Sequence, residues 1–301
     1  MRKLLTRYYL NIAIMNYSTI SLEYWKQVGE GGNGATYIHV SEPDVMLKVN
    51  NLDGTEEAMS KEFCASKAVH DLGIATPEMK QLVRVGNGYG IVSQLIKNKK
   101  SIARMCNEAP EQIDALARQM AEQTRQLHAT IVLSSSCLPS MKGLMLEALE
   151  QTSMLSGKKL QDVIEYVKNL PDAQTLLHGD LQMGNIISGG QDKPSYYWID
   201  LGRAVHGIPM FDLGHFYLFC NIFSKKERVQ LIAHMTEKQM VDFWNAFALA
   251  YNGPEHLDEF TAECKRFAAL DVVMLGHVQK LTWSERFFLG LLAKSLFKVG
   301  Q

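Results

Sequence analysis

No run in this chain reaches the ~18 consecutive apolar residues of a membrane-spanning helix, so no membrane partner is expected. An excess of one charge is also missing. Lys and Arg number 31 against 32 Asp and Glu, a net charge of −1, which argues against nucleic acid as a partner. Cysteine is sparse: Cys64, Cys106, Cys137, Cys220 and Cys264 are scattered, without a C-x-x-C pair. That pattern argues against a disulfide frame or zinc site and fits reduced, buried thiols in a cytoplasmic protein. Internal repeats and low-complexity linkers are absent as well. The start, MRKLLTRYYLNIAIMNYST, is basic and then apolar, but Arg7 interrupts it and no A-x-A-like cleavage site follows. Residues 1–20 therefore read as an N-terminal extension, with Met15 an alternative start.

What is present suits a folded protein of one large domain or two lobes: 301 residues, 47% hydrophobic and 21% charged. Residues 21–97 are β-rich, with ATYIHV and DVMLKVN as strands and QLVRVGNGYGIVSQLI as a hairpin about Gly86-Asn87-Gly88. Between them TEEAMSKEFCASKAVHDLG reads as a helix with an acidic first turn and Gly73 at its end. Residues 98–301 are mostly helical, with Ile113, Leu116, Met120 and Leu127 along one helix face. Only 175–200 breaks this with short strand-like pieces, TLLHG, NIIS and SYYWID. The expected class is α+β, a small β-rich lobe followed by a larger helical one.

Three elements carry chemistry. Gly29, Gly31 and Gly34 form G-x-G-x-x-G in VGEGGNGATY. A dinucleotide fold needs a helix after the last glycine, whereas Thr36–Val40 reads as strand; a hairpin turn or a flap over phosphates both fit. Lys48 lies on the strand VMLKVN, where it either faces solvent or supplies a fixed cation; Glu62 on the next helix is placed to hold it. The stretch LLHGDLQMGNII sets Asp180 and Asn185 among apolar residues, and YYWIDLGRA ends a strand on Asp200. Buried polar groups without partners are costly, so these residues either satisfy turns or hold something charged. Two carboxylates and an amide are the hard oxygen ligands that Mg2+ prefers beside phosphates.

Together these elements resemble the protein-kinase-like superfamily, in particular its aminoglycoside phosphotransferase/choline kinase branch. HGDLQMGN (178–185) matches H-G-D-x-x-x-x-N, IDLGR is similar to the branch's D-L-G-R, and GIPMFDLGHF looks like its G-x-P-x-x-D-L-A with Gly214 for alanine. The resemblance runs from about residue 25 to 220, in the correct order, and implies a bilobal protein-kinase-like fold using ATP and Mg2+. It implies that Gly29, Gly31 and Gly34 cover the phosphates and that Lys48, held by Glu62, pairs with them. Gln94, Leu95 and Ile96 become the hinge facing adenine. Asp180 orients the acceptor hydroxyl and accepts its proton, while Asn185 and Asp200 bind Mg2+. His178 and Asp212 brace the catalytic turn, and Arg203 steadies phosphate charge.

Only eleven residues separate Asp200 from Asp212, no A-P-E follows, and His178-Gly179-Asp180 lacks the arginine of H-R-D. These departures disfavour a protein substrate. The expected reaction is transfer of the ATP γ-phosphoryl group to a hydroxyl of a small acceptor: aminoglycoside-like, amino alcohol, sugar or nucleoside. The alternative is a nucleotide-binding pseudokinase with a regulatory role; a protein kinase ranks behind it. For a cationic acceptor, Glu255, Asp258, Glu259 and Glu263 are an acidic run, against which stands an ordinary solvated helix face. Trp244, Tyr251 and Trp283 form an aromatic set, against which stands burial in the core. The sequence leaves the oligomeric state open.

Overall fold

The computed structural model describes residues 17–31, 34–50, 55–133, 136–190, 195–278 and 282–298. The chain divides into two compact units. One runs to Lys99 and takes in Ile187–Arg203; the other comprises Lys100–Ile186 and the chain from Ala204 onward. The first is β-rich and the second mostly helical, the composition expected from the sequence.

The β-rich unit holds β1 (Ser18–Ile20), β2 (Trp25–Gly31), β3 (Gly34–His39), β4 (Val45–Asn50), β5 (Met79–Val85) and β6 (Gly88–Gln94). Their order in the sheet is β1-β5-β6-β4-β3-β2, all antiparallel except β1 beside β5. β1 falls within 1–20, which the sequence reading treats as an extension. Gln81 draws it in with a 2.7 Å hydrogen bond to the Ser18 hydroxyl, and Tyr17 packs edge-on against Tyr89. Residues 1–16, and with them Met15, lie outside the described residues.

Strand alternation separates core from site. On β4, Leu47 is fully buried with Val83 and Val85, while Met46 and Lys48 belong to the opposite face. α1 (Glu56–Asp71) packs Met59 and Phe63 on Leu82 and Ile91. Its start is fixed by Thr55, whose hydroxyl accepts the Ala58 N–H, and by Glu56 and Glu57 in the first turn. Ser195–Trp198, paired with Ile186–Gly189, then returns to this unit. The Trp198 N–H donates to the Ala75 carbonyl at 2.9 Å and brings Asp200 along with it. Residues 191–194 lie outside the described residues.

The helical unit holds α2 (Ile102–Glu108), α3 (Ile113–His128), α4 (Met141–Gln151), α5 (Gly157–Asn169), α6 (Met210–Tyr217), α7 (Glu227–Ala233), α8 (Glu237–Asn252), α9 (Leu257–Val278) and α10 (Trp283–Lys298). The predicted stripe on α3 is buried, and α3 packs on α8. α6 runs against α9 so closely at Gly214 that no side chain fits at that position. A Cβ on Gly214 would stand 2.5 Å from Phe267 Cβ and 2.7 Å from the Phe267 carbonyl carbon. Glycine fits here where alanine does not. Among the described residues no helix is long and apolar enough to cross a membrane.

Candidate active site

In the β-rich unit a cavity of about 450 Å3 is lined by Gly29, Gly34, Lys48, Glu62, Gln94 and Asp200, among others. That volume suits a small organic ligand. The glycine segment lies on two paired antiparallel strands, as the residues after Gly34 suggest, with Gly31 opposite Gly34 and Gly29 opposite Thr36. Gly34 has φ of 143°, and any Cβ there would sit 2.1 Å from the Val49 carbonyl, so the position admits glycine alone. Residues 32–33 lie outside the described residues.

Lys48 reaches Glu62 Oε1 at 2.7 Å and Asp200 Oδ1 at 3.2 Å. Burial works against its charge, but the Asp200 and Glu62 carboxylates outweigh that and hold the ammonium above its ordinary pKa. Two anions around one cation leave this corner net negative, ready for a further cation. Asp200 has φ of 56°, a left-handed backbone that aspartate tolerates better than most residues and that is concentrated at functional sites. Of the hinge residues, Gln94 and Ile96 line the cavity and Leu95 does not. The N–H groups of Gln94 and Leu95 are already donated to the Glu78 and Asp44 carbonyls, each at 2.9 Å. Arg203 is half-buried and does not line the cavity.

In the helical unit the turn 178–185 is held from α6. Asp212, almost fully buried, accepts the backbone N–H groups of His178 at 2.7 Å and Gly179 at 2.8 Å, and lies 3.2 Å from His128 Nε2. Burial opposes its charge, yet the His128 hydrogen bond, the His128 and His178 rings and the Gly179 amide keep its carboxyl below the usual range. His178 is fully buried beneath the turn. Asn185 donates its Nδ2 to the Asp180 carbonyl at 2.8 Å; its amide oxygen is a hard acceptor that this bond does not use. Among the described residues no cluster of three or more His, Cys, Asp or Glu side chains could hold a metal alone. An amide or carboxylate oxygen is the kind of hard donor Mg2+ takes, the ion completing its shell with water and phosphate.

His215 escapes the sequence reading although it follows the D-L-G of GIPMFDLGHF. Its Nε2 lies 3.0 Å from Asp180 Oδ1 and its Nδ1 2.8 Å from Asp271 Oδ2. Asp271 carried a signal of its own: a single carboxylate in the apolar run FAALDVVMLG. Three acceptor candidates belong elsewhere. Trp244 is buried among Phe216, Tyr217, Phe247 and Phe260, and Tyr251 packs on Phe247 and bonds His128. Glu263 is occupied by Tyr166 and Arg266.

Residues 25–244 match the phosphotransferase enzyme family. The chain belongs to that family. It is a phosphotransferase. Solved structures agree on the kinase-like fold. Aminoglycoside phosphotransferase APH(4)-Ia with ADP and hygromycin B has a TM-score of 0.63 at 11% identity, over 92% of this chain and 94% of that one. The GDP complex of aminoglycoside 2'-phosphotransferase-IIIa has 0.56 at 16% identity, over 97% and 96%. ADP-bound APH(2'')-Ib has 0.55 at 14% identity, over 98% of both chains. No curated protein sequence matches the phosphotransferase significantly.

Proposed function

We propose that this phosphotransferase moves the γ-phosphoryl group of ATP, with Mg2+, to a hydroxyl of a small acceptor. The observation that carries this reading is Lys48 set between Glu62 and Asp200 in a cavity overlain by the glycine-bearing strands. The ammonium meets the α- and β-phosphates, and Glu62 fixes its direction. The β2–β3 backbone at Gly29 and Gly34 can approach phosphate oxygens because no side chain intervenes. With the Gln94 and Leu95 N–H groups spent internally, Ile96 N–H is the hinge donor assigned to adenine. Asn185 and Asp200 are the assigned Mg2+ ligands, and the ion would offset charge on the transferring group. Asp180 aligns the acceptor hydroxyl and takes its proton, so most of the catalysis is positioning and charge neutralisation.

The neighbours bound to ADP, GDP and hygromycin B support a nucleotide donor and an aminoglycoside-like acceptor; amino alcohols, sugars and nucleosides belong to the same proposal. A cytoplasmic setting accords with five free thiols, of which burial pushes Cys106 up to about 12. The deciding experiment is ADP release from Mg2+-ATP across aminoglycosides, choline, ethanolamine, sugars and nucleosides, with Asp180→Ala as the blank. Turnover on one acceptor, lost in Asp180→Ala while ATP binding persists, is expected; Asp200→Ala should instead weaken Mg2+-ATP binding. Parental turnover in Asp180→Ala refutes the assignment of the base.

A further inference from the structure

One imidazole in the helical unit stands between two carboxylates. Ionised carboxylates only accept hydrogen bonds, so His215, at 3.0 Å from Asp180 and 2.8 Å from Asp271, satisfies both by donating from both ring nitrogens. The side chains are shielded, His215 at 13% exposure, Asp180 at 25% and Asp271 at 8%, so water is a poor substitute for either bond. The charged groups facing the ring come from the turn (Asp180) and from α9 (Asp271), while Asp212 on α6 faces His128 and the turn amides. Burial disfavours the imidazolium, but Asp271 and Asp180 outweigh it and raise the ring to about 10.

We propose that His215, braced by Asp271, is a positioning residue for Asp180. It commits Oδ1 and so fixes the plane in which the other carboxylate oxygen meets the acceptor hydroxyl. This rests on the reading of Asp180 as the base. A doubly protonated ring has no lone pair in its plane, so His215 cannot take the acceptor's proton, which stays on Asp180. Asp212 and His215 lie three residues apart, hence on one helix face. α6 therefore secures the turn twice, its backbone through Asp212 and its catalytic side chain through His215. Asp271 reaches the ring because α6 and α9 approach as closely as Gly214 allows.

The test compares His215→Ala, His215→Gln and Asp180→Ala with the parent, using Mg2+-ATP turnover onto the same acceptor panel and onto water. A fluorescent ATP analogue reports nucleotide binding. His215→Ala should lose about 10²-fold in kcat, the scale of a misplaced catalytic group, with nucleotide affinity nearly unchanged and a lower melting temperature, because Asp271 loses its buried partner. His215→Gln should recover about tenfold of that, since its amide still donates to Asp180. If His215→Ala does not fold, the glutamine variant and 15N NMR of the parent's His215 ring carry the test; both ring nitrogens should hold protons at neutral pH. Parental kcat in His215→Ala with Asp180→Ala inactive overturns the inference but leaves the proposed function. So does a glutamine variant no faster than alanine, or a neutral ring. A fully active Asp180→Ala, or no parental turnover on any acceptor, overturns the proposed function and this inference with it.

Discussion

Gly214→Ala adds one methyl group where α6 and α9 pack too closely for a Cβ. The new Cβ would meet Phe267 Cβ at 2.5 Å, the Phe267 carbonyl carbon at 2.7 Å and the Ala268 nitrogen at 2.8 Å, whereas ordinary contact begins near 3.4 Å. Two of the three atoms are backbone, so no rotamer change relieves the clash, and α6 and α9 must part by about 1 Å. Overpacking of this kind costs about 1–3 kcal/mol. Alanine's preference for helix over glycine offsets about 0.5–1 kcal/mol. The clash wins, leaving about 1–2 kcal/mol of destabilisation and a melting temperature lower by a few degrees. The effect on activity is larger, because the displaced helix carries Asp212 and His215 on either side of the substitution. A misplacement of ~1 Å costs about 10²-fold in kcat. Thermal melting and single-turnover transfer measure the two effects. A Gly214→Ala protein as stable and as fast as the parent would refute the packing argument and the coupling drawn from it.

Lys48→Met removes the cation of the cavity and should lower kcat/KM for ATP by about 10²-fold or more, while Glu62→Gln, which only loosens its direction, should cost about tenfold; steady-state kinetics separate them. Asp212→Asn withdraws a buried charge from two amides and His128, costing about 3 kcal/mol or more, read from urea unfolding. Because the folded Asp212 pKa lies below the unfolded one, its stabilisation holds above the ordinary aspartate range and fades as pH falls through the folded value. The parent should then lose stability in acid more steeply than Asp212→Asn. His215 runs the other way: raised from 6.5 to about 10, it contributes fully below 6.5 and loses that contribution as pH rises through about 10. Unfolding of His215→Gln should be flatter than the parent's across that alkaline range.

Much of the site was legible because its residues sit in short motifs with fixed local geometry. Lys48 alternates with Leu47 on one strand, Asp180 and Asn185 share one turn, and Asp200 ends a strand whose apolar side chains bury themselves. Asp212 was legible from its place after G-x-P. The Asp180–His215–Asp271 string was not, since its members are 35 and 56 residues apart and join only through helix packing. β1 was missed because three residues of weak alternation cannot announce a parallel partner more than sixty positions away. Trp244 and Tyr251 show the converse: aromatics suited to a cationic ligand pack on other rings instead, Trp244 in the core and Tyr251 half-buried beside it.

The β-rich unit is discontinuous along the chain, and this bears on how it is made. Met46, Lys48 and Gln94 emerge early during synthesis, but Ile187, Trp198 and Asp200, which line the same cavity, follow roughly a hundred residues later. At ribosomal rates of about 5–20 residues per second, the nascent sheet waits about 5–20 s for them. Throughout that interval the Ala75 carbonyl lacks the Trp198 N–H and Lys48 lacks one of its two carboxylates. A fragment ending at Lys99 would stay in that unfinished state, so the smallest autonomous form of the Lys48 cavity has to extend through Arg203.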